Sequence, residues 1–515
     1  VPIDADTPES DGWYLRLLLE QLHNRRVGRR GKQTWTRDRV ASSRLRPGLE
    51  LLAAYRRGDP PLRDDVHSGW AAPFRRYVRM GRLNFAGKLV SPTASRMGLR
   101  GFMTAAAADE LGDEAARQIM RRNKLKTVAS DVHDDMLSFG DGYALVTPPD
   151  DPEVPNARDW SLITAESPLL CITGNDPATG QTRAGLKVYR DEMDEYDWAY
   201  MVLPGGQLRV ARKPGTSSVS AAGTFRFGST WEWVEDKFDE IPGGRNPFVR
   251  FRNRRGVGEF EEHLDQLDRI NDKIFNEWWI EKIQAFRQRA LERDADASDD
   301  DDYDDREGQD AEEALAAKVT PAMSPEEIAD MFVSAPDALW DLPPGTKLWE
   351  SGTVDVNPML NSIQKELQWL AAAADKPLAS LNPDAANQSA AGSTNQKEEH
   401  LYQVLDRRDR AEAGWVEVMS HAFYFEGDEE RADVTQLEAL WGPLELYGLE
   451  EKAQAASQSV AALPREAIWR DIYQYDPAAI KELRQMDGRQ MLLLARQQQQ
   501  SQQGQPAASE PSANG

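Results

Sequence analysis

The chain has 515 residues, 40% of them apolar, and a formal charge of −24. That length implies two to four compact regions, and the charge argues against a surface that grips nucleic-acid phosphates. A single cysteine, Cys171, excludes an internal disulfide framework; no run approaches the roughly 18 apolar residues of a membrane span and no signal-peptide pattern appears, so a soluble, cytoplasmic product is expected.

Residues 10–27 place apolar side chains at helical spacing behind two candidate caps, Ser10 and Asp11. The segment VGRRGKQTWTRDRVASSRLRPG is basic, with two glycines and a proline, and reads as a surface loop. LELLAAYRRGDPPL predicts a short helix stopped by Gly58 and two prolines, and NFAGKLVSPTASRMGLRGF a helix leading into an edge strand. Residues 113–130 predict one helix with an acidic start that suits the helix dipole, after which VHDDMLSFGDGYALVTPP ends in a strand. From Trp160 to Phe251 β-branched and aromatic residues alternate with turn formers, predicting a mixed or antiparallel sheet. Cys171, in SPLLCITG, reads as a core thiol on a strand, and the fifteen tryptophans as core or interface anchors.

Residues 258–291 carry Leu264, Leu267, Ile270, Ile274 and Trp278 in steps of three and four, one face of a helix roughly 45 Å long. Glu261, Glu262, Asp265, Asp268 and Asp272 fall largely on the other side. The run stops at an abrupt change of composition: residues 294–313 contain twelve acids against one base, Arg306. Beyond it, SPEEIADMFV has a capping-box start at Ser324 and Glu327, and DLPPGTKLWESGTVDV reads as short strands around a Pro-Pro-Gly turn. VNPMLNSIQKELQWLAAAAD predicts a second amphipathic helix, with Leu360, Ile363, Leu367 and Leu370 on one face. KPLASLNPDAANQSAAGST offers no core and reads as a loop; a third long helix follows over residues 393–424, then a strand-like piece, ADVTQLEALWGPLELY, and two or three modest helices. The glutamine-rich end is expected to be disordered.

Catalytic templates fail on residue type or spacing. GRRGKQ is too short for a phosphate-binding loop and lacks its hydroxyl, GVG at Gly256–Gly258 does not continue as a dinucleotide fingerprint, and no HExxH exists. The six histidines, at 23, 67, 133, 263, 400 and 421, are scattered. SIQK at Ser362–Lys365 matches an acyl-serine pattern without its companion motifs, and DDDDYDD lacks the glycine and terminal glutamate of a calcium loop, which leaves a solvated acidic loop as its reading. A protein without catalytic activity or cofactor is expected. The rival reading from the residues is a metal-dependent hydrolase using the aspartate cluster.

The ordered pieces YRRGDPPL, NFAGKLVSPTASRMGLRGF, NKLKTVASDVHDDMLSFGDGYALV, PFVRFRNRRGVGEFEEHLDQLDRIN, DLPPGTKLWESGTVDVNPMLNSIQKEL and KPLASLNPDAANQSAAGSTNQKEEHL are similar to portal proteins of tailed double-stranded DNA bacteriophages, those of long-tailed actinobacteriophages in particular. The likeness spans roughly residues 10–490. It implies an α+β portal fold: an α/β wing over 1–257, a stem helix over 258–290, a small α/β clip over 291–355 with the acidic tract as an insertion, a second stem helix over 356–373, a tunnel loop over 374–391, a long kinked helix with its return to the wing over 392–439, a helical crown over 440–495, and a disordered tail over 496–515. Members of that family form a dodecameric ring at one capsid vertex, contact the major capsid protein, dock the terminase large subunit and later the head–tail adaptor, and pass double-stranded DNA without reading its sequence. The implied location is the virion, after assembly in the host cytoplasm, with no membrane partner; the rival reading within that class is another virion component, an adaptor or scaffolding protein. Lys376, Asn382, Asn387 and Gln388 would then be tunnel-loop contacts to phosphate oxygens. Glu261, Glu262, Asp265, Asp268 and Asp272 would form a channel-wall or intersubunit face; a negative wall repels a duplex carrying one charge per about 1.7 Å of axis.

Overall fold

Ser10 opens the first helix, α1 (Asp11–Val27), by accepting a hydrogen bond from the Trp13 amide. Its buried Leu15, Leu18, Leu19 and Leu22 lie in one core with Leu186, Val188, Ala199 and Met201 of the large sheet. Each such leucine contributes about 2 kcal/mol on leaving water. The computed structural model describes residues 3–28, 46–60, 78–104, 112–151, 157–215, 225–285, 289–293, 346–350, 355–381, 390–445 and 447–503. The fold is α+β with antiparallel sheets, and the chain divides into two units, Val1–Asp272 with Ile363–Gly515, and Lys273–Ser362.

In the first unit, α2 (Leu49–Arg57) ends on Gly58 at φ 80, and α3 (Phe85–Ala94) starts at Asn84, whose side chain accepts from the Gly87 amide. Strand β1 (Leu99–Met103) pairs with β13 (Glu438–Trp441). The single helix expected over 113–130 is two, α4 (Glu114–Arg122) and α5 (Leu125–Phe139), because Lys124 sits in the left-handed region at φ 49. The break is fixed by Asn123, which donates to the Ile119 and Ser161 carbonyls and accepts from the Ile163 amide.

Strand β2 (Asp141–Thr147) lies between β10 (Phe248–Arg252) and β3 (Leu162–Glu166), with antiparallel register Phe248↔Leu145 and Leu145↔Thr164. Gly142 is required at the crossing with α5, since a Cβ there would meet the Val132 carbonyl oxygen at 2.5 Å. The second sheet runs β4 (Cys171–Asn175), β5 (Thr182–Asp191), β6 (Tyr196–Leu203), β7 (Gln207–Pro214) and β8 (Glu232–Trp233), with β9 (Asp239–Glu240) also on β7. Cys171 is buried on its strand.

The helix expected from residue 258 begins later, as α6 (Leu264–Ala285): residues Glu261–His263 form a 3-10 turn, and after it the chain enters strand β11 (Arg289–Arg293). Leu267 and Ile270 are buried as expected. Helix α7 (Asn357–Ala373) buries Ile363, Leu367 and Leu370, whereas Leu360, placed on the same face by its spacing, is exposed. A short turn, α8 (Leu378–Leu381), precedes α9 (Ala390–Phe425), whose 36 residues span about 54 Å. Then come α10 (Leu449–Ser459), a helical turn at Arg465–Ala467 running into a π turn at Ile468–Ile472, and α11 (Pro477–Gln503), which carries helix into the glutamine run expected to be unstructured.

In the second unit β11 pairs antiparallel with β12 (Thr346–Glu350), in register Arg289↔Glu350. Ser362, in the SIQK run, accepts a hydrogen bond from the Lys273 ammonium at 2.8 Å. The acidic tract and the capping-box helix at Ser324 lie outside the described residues.

Candidate functional site

Three segments far apart in sequence meet at one buried carboxylate. Glu259 stands just before the turn that leads into α6, and its side chain is 3% exposed. Its Oε1 accepts from Arg407 Nε of α9 at 2.8 Å and Asn253 Nδ2 at 3.2 Å; its Oε2 accepts from Lys376 Nζ at 3.2 Å and Gln403 Nε2 at 3.1 Å. Lys376, three residues past α7, also donates to Thr93 Oγ1 of α3 at 2.5 Å and to Gln403 Oε1 at 2.7 Å. Every ammonium proton therefore has an acceptor, which is the condition for burying a charged lysine without a large desolvation penalty.

The electrostatics follow from that enclosure. Burial alone would push the Glu259 carboxyl up, but the Lys376 ammonium and Arg407 guanidinium outweigh it and hold it below its ordinary value. Burial pulls Lys376 down, opposed by Glu259. His400, on α9, is drawn down to about 4 by burial and by the charges of Lys376 and Arg96. Its Nδ1 lies 3.3 Å from Gln403 Oε1, and among the described residues its Nε2 has no partner.

Beside this network lies a cavity of about 250 Å3, lined among others by Arg254, Arg255, Glu262, His263 and Asp375. Arg255 and Asp375 both hold left-handed backbone, at φ 56 and 52. Two such residues at one cavity mark a locally over-determined backbone. The arrangement has no nucleophile paired with a base. It joins the entry to α6, the exit from α7 and the middle of α9 to α3 through charges that cannot be separated cheaply.

Lys376, expected as a phosphate contact of the tunnel loop, lies inside this network. Its side chain is fully buried and its ammonium is bonded to Glu259, Thr93 and Gln403, so it anchors the segment before residue 382. Asn382, Asn387 and Gln388 lie outside the described residues. Of the five carboxylates proposed as a wall, Glu261 is buried: it accepts from Arg46 Nε at 2.8 Å and Nη2 at 3.1 Å and from the Gly258 amide. Asp268 is half-buried and accepts from the Tyr55 hydroxyl at 2.8 Å. Glu262, Asp265 and Asp272 are exposed. Arg269, between the last two on the same helix, is exposed and pairs with Glu366 at 2.8 Å, so the face is not uniformly acidic.

Sequence reasoning passed over Glu259, Gln403 and Arg407. The available signal was a lysine and a glutamate sitting at the ends of apolar helices where a solvated charge has no room. Among the described residues no group of three or more His, Cys, Asp or Glu side chains could hold a metal, and no helix is long and apolar enough to cross a membrane.

No family profile and no curated protein matches the chain. Solved structures similar to it include the neck of a native gene transfer agent (GTA) particle computed with C12 symmetry, at 13% identity and TM-score 0.39 over 76% of this chain and 88% of that one. The neck of an empty GTA particle computed with C6 symmetry is similar at 14% identity and TM-score 0.38, over 76% and 86% of the two chains. The virion of a native GTA particle follows at 11% identity and TM-score 0.34, over 75% and 84%.

Proposed function

We propose that this chain is a portal-type subunit of a tailed-phage virion, closing a ring with copies of itself at one capsid vertex and passing double-stranded DNA inward during packaging and outward during ejection. The observation that carries the reading is the order of elements. An antiparallel wing-like body leads into a long helix, a separate unit with a two-stranded antiparallel sheet, a second long helix, a short connecting segment and a helix of 36 residues. That order coincides with the one implied by the sequence pieces from YRRGDPPL to KPLASLNPDAANQSAAGSTNQKEEHL.

The role is mechanical, with no bond made or broken by the protein. Glu262, Asp265 and Asp272 supply a face that a duplex does not adhere to, and Asn382, Asn387 and Gln388 supply neutral contacts in the loop. The Lys376–Glu259–Arg407 network holds the base of that loop against α9. Docking of a terminase large subunit, a head–tail adaptor and the major capsid protein belongs to the same proposal.

Negative-stain imaging of the purified chain tests it. A ring with a central hole, near twelve-fold, is expected. A monomer or an open filament at concentrations where portal-type subunits close would overturn it and favour an adaptor or scaffolding role.

A further inference from the structure

A second cavity, of about 270 Å3, lies in the first unit at the junction of α4 and α5, on a floor that includes Phe102, Met120 and Leu125. In a chain of net charge −24 its rim is cationic. Three acid–base pairs there are internally satisfied: Arg100 with Asp476 at 3.2 Å, Arg117 with Glu114 at 2.5 Å, and Asp113 with Arg431 at 2.8 Å. Three cations remain. Arg121, Lys124 and Lys126 line the same cavity, are exposed, and among the described residues make no hydrogen bond or ion pair with their side chains.

We propose that this cavity is a phosphate-binding site, with Arg121, Lys124 and Lys126 as the side chains that hold the anion. Three unpaired positive charges around one hollow repel one another, and a dianion placed between them removes that cost while a monovalent carboxylate neutralises less of it. The backbone is arranged to keep them together. Lys124 holds the left-handed conformation at φ 49, and the break it makes turns the start of α5 toward the hollow with no side chain capping it. The Thr127 and Val128 amides go to the Lys124 carbonyl, and those of Leu125 and Lys126, without a backbone partner among the described residues, add donors to a site that the cavity and its cations already define. The phosphate could be that of a small ester or of a nucleic-acid backbone; the chemistry of recognition is shared, and it does not depend on the chain forming a ring.

The test uses the full chain at low salt, titrated with inorganic phosphate and followed by calorimetry. Saturable one-site binding is expected for the wild type, weakened about tenfold or more in the Arg121→Gln/Lys124→Gln variant. Lys126→Gln alone, a single exposed change, should weaken it by a smaller factor. Circular dichroism and thermal melting matching wild type would show both variants folded. Displacement of the phosphate by a short DNA duplex assigns the ligand to a nucleic-acid backbone, and phosphate binding untouched by duplex assigns it to a small ester. Identical titrations for wild type and the double variant, or no saturable phosphate binding by the wild type, would overturn the site. Ring imaging is scored separately, so loss of one conclusion leaves the other standing.

Discussion

The ammonium of Lys376 lies 3.2 Å from a carboxylate oxygen of Glu259, 117 residues earlier in the chain, and neither side chain reaches water. Breaking such a pair from one side leaves an uncompensated buried charge, which costs about 3–5 kcal/mol. Glu259→Gln, which leaves the buried Lys376 and Arg407 cations facing each other, should lower the unfolding free energy by that order, and Lys376→Met by less, because Arg407 still compensates Glu259. The double variant should lose less than the two together by at least about 1 kcal/mol, because Lys376→Met removes one of the cations that Glu259→Gln leaves without its carboxylate, while Arg407 keeps Asp406. Urea unfolding of the four proteins measures the coupling, and strictly additive losses would show that the pair does not act as a unit.

The pH dependence has a defined sign. His400 is held down to about 4 and His133 to about 3, each mainly by burial, with Arg408 adding to the effect at His133. Between about pH 6.5 and those values the unfolded chain takes up protons that the folded chain refuses, so stability falls as pH falls, by up to about 1.4 kcal/mol per pH unit for each histidine. Asp135 works the other way. Burial and its neighbours Asp134 and Asp131 raise it to about 7, so the folded chain holds a proton there that the unfolded chain has released. Comparing wild type with His400→Gln from neutral to acid pH isolates one contribution. The variant should lose less stability on acidification, and parallel curves would contradict the assignment.

Gly140 combines two constraints. It holds φ 84 as the residue after α5, and a Cβ there would stand 2.1 Å from the Gly256 carbonyl oxygen. Gly140→Ala should therefore cost about 3 kcal/mol or more, a left-handed penalty added to a backbone clash. Gly180, also at positive φ but with open space around a Cβ, should lose only the left-handed penalty, about 1–2 kcal/mol. Thermal melting of the two alanine variants separates strain from collision; equal losses would mean that the chain relaxes freely around Gly140.

These sites explain which parts of the molecule could be read from the sequence. Helix caps and apolar periodicity are local: Ser10, Asn84 and Asp113 each bond an amide two or three residues ahead, and Leu267 and Ile270 follow a spacing visible in any window. The break at Lys124 was hidden, because it is set by Asn123 reaching Ser161 and Ile163 about forty residues on. The burial of Glu261 and Lys376 was hidden for the same reason. A carboxylate in an acidic helix start and a lysine beside a loop look solvated until Arg46, 215 residues away, and Glu259 are brought to them.

The acidic face near the start of α6 can be divided by charge reversal. Asp265 and Asp272 are exposed and seven residues apart, two turns along one side of the helix. Asp265→Lys with Asp272→Lys should leave unfolding free energy within about 0.5 kcal/mol of wild type. If these side chains line the DNA path, rings should still close while packaging slows several-fold, because cations on the wall hold the phosphates that carboxylates repel. Glu261→Lys is the contrast. It puts a cation against Arg46 in a buried position and should cost more than about 3 kcal/mol, so that folding fails before packaging can be scored. Intact rings that package at the wild-type rate with both aspartates reversed would assign that face to solvent or to a neighbouring subunit, and the path of the DNA to other residues.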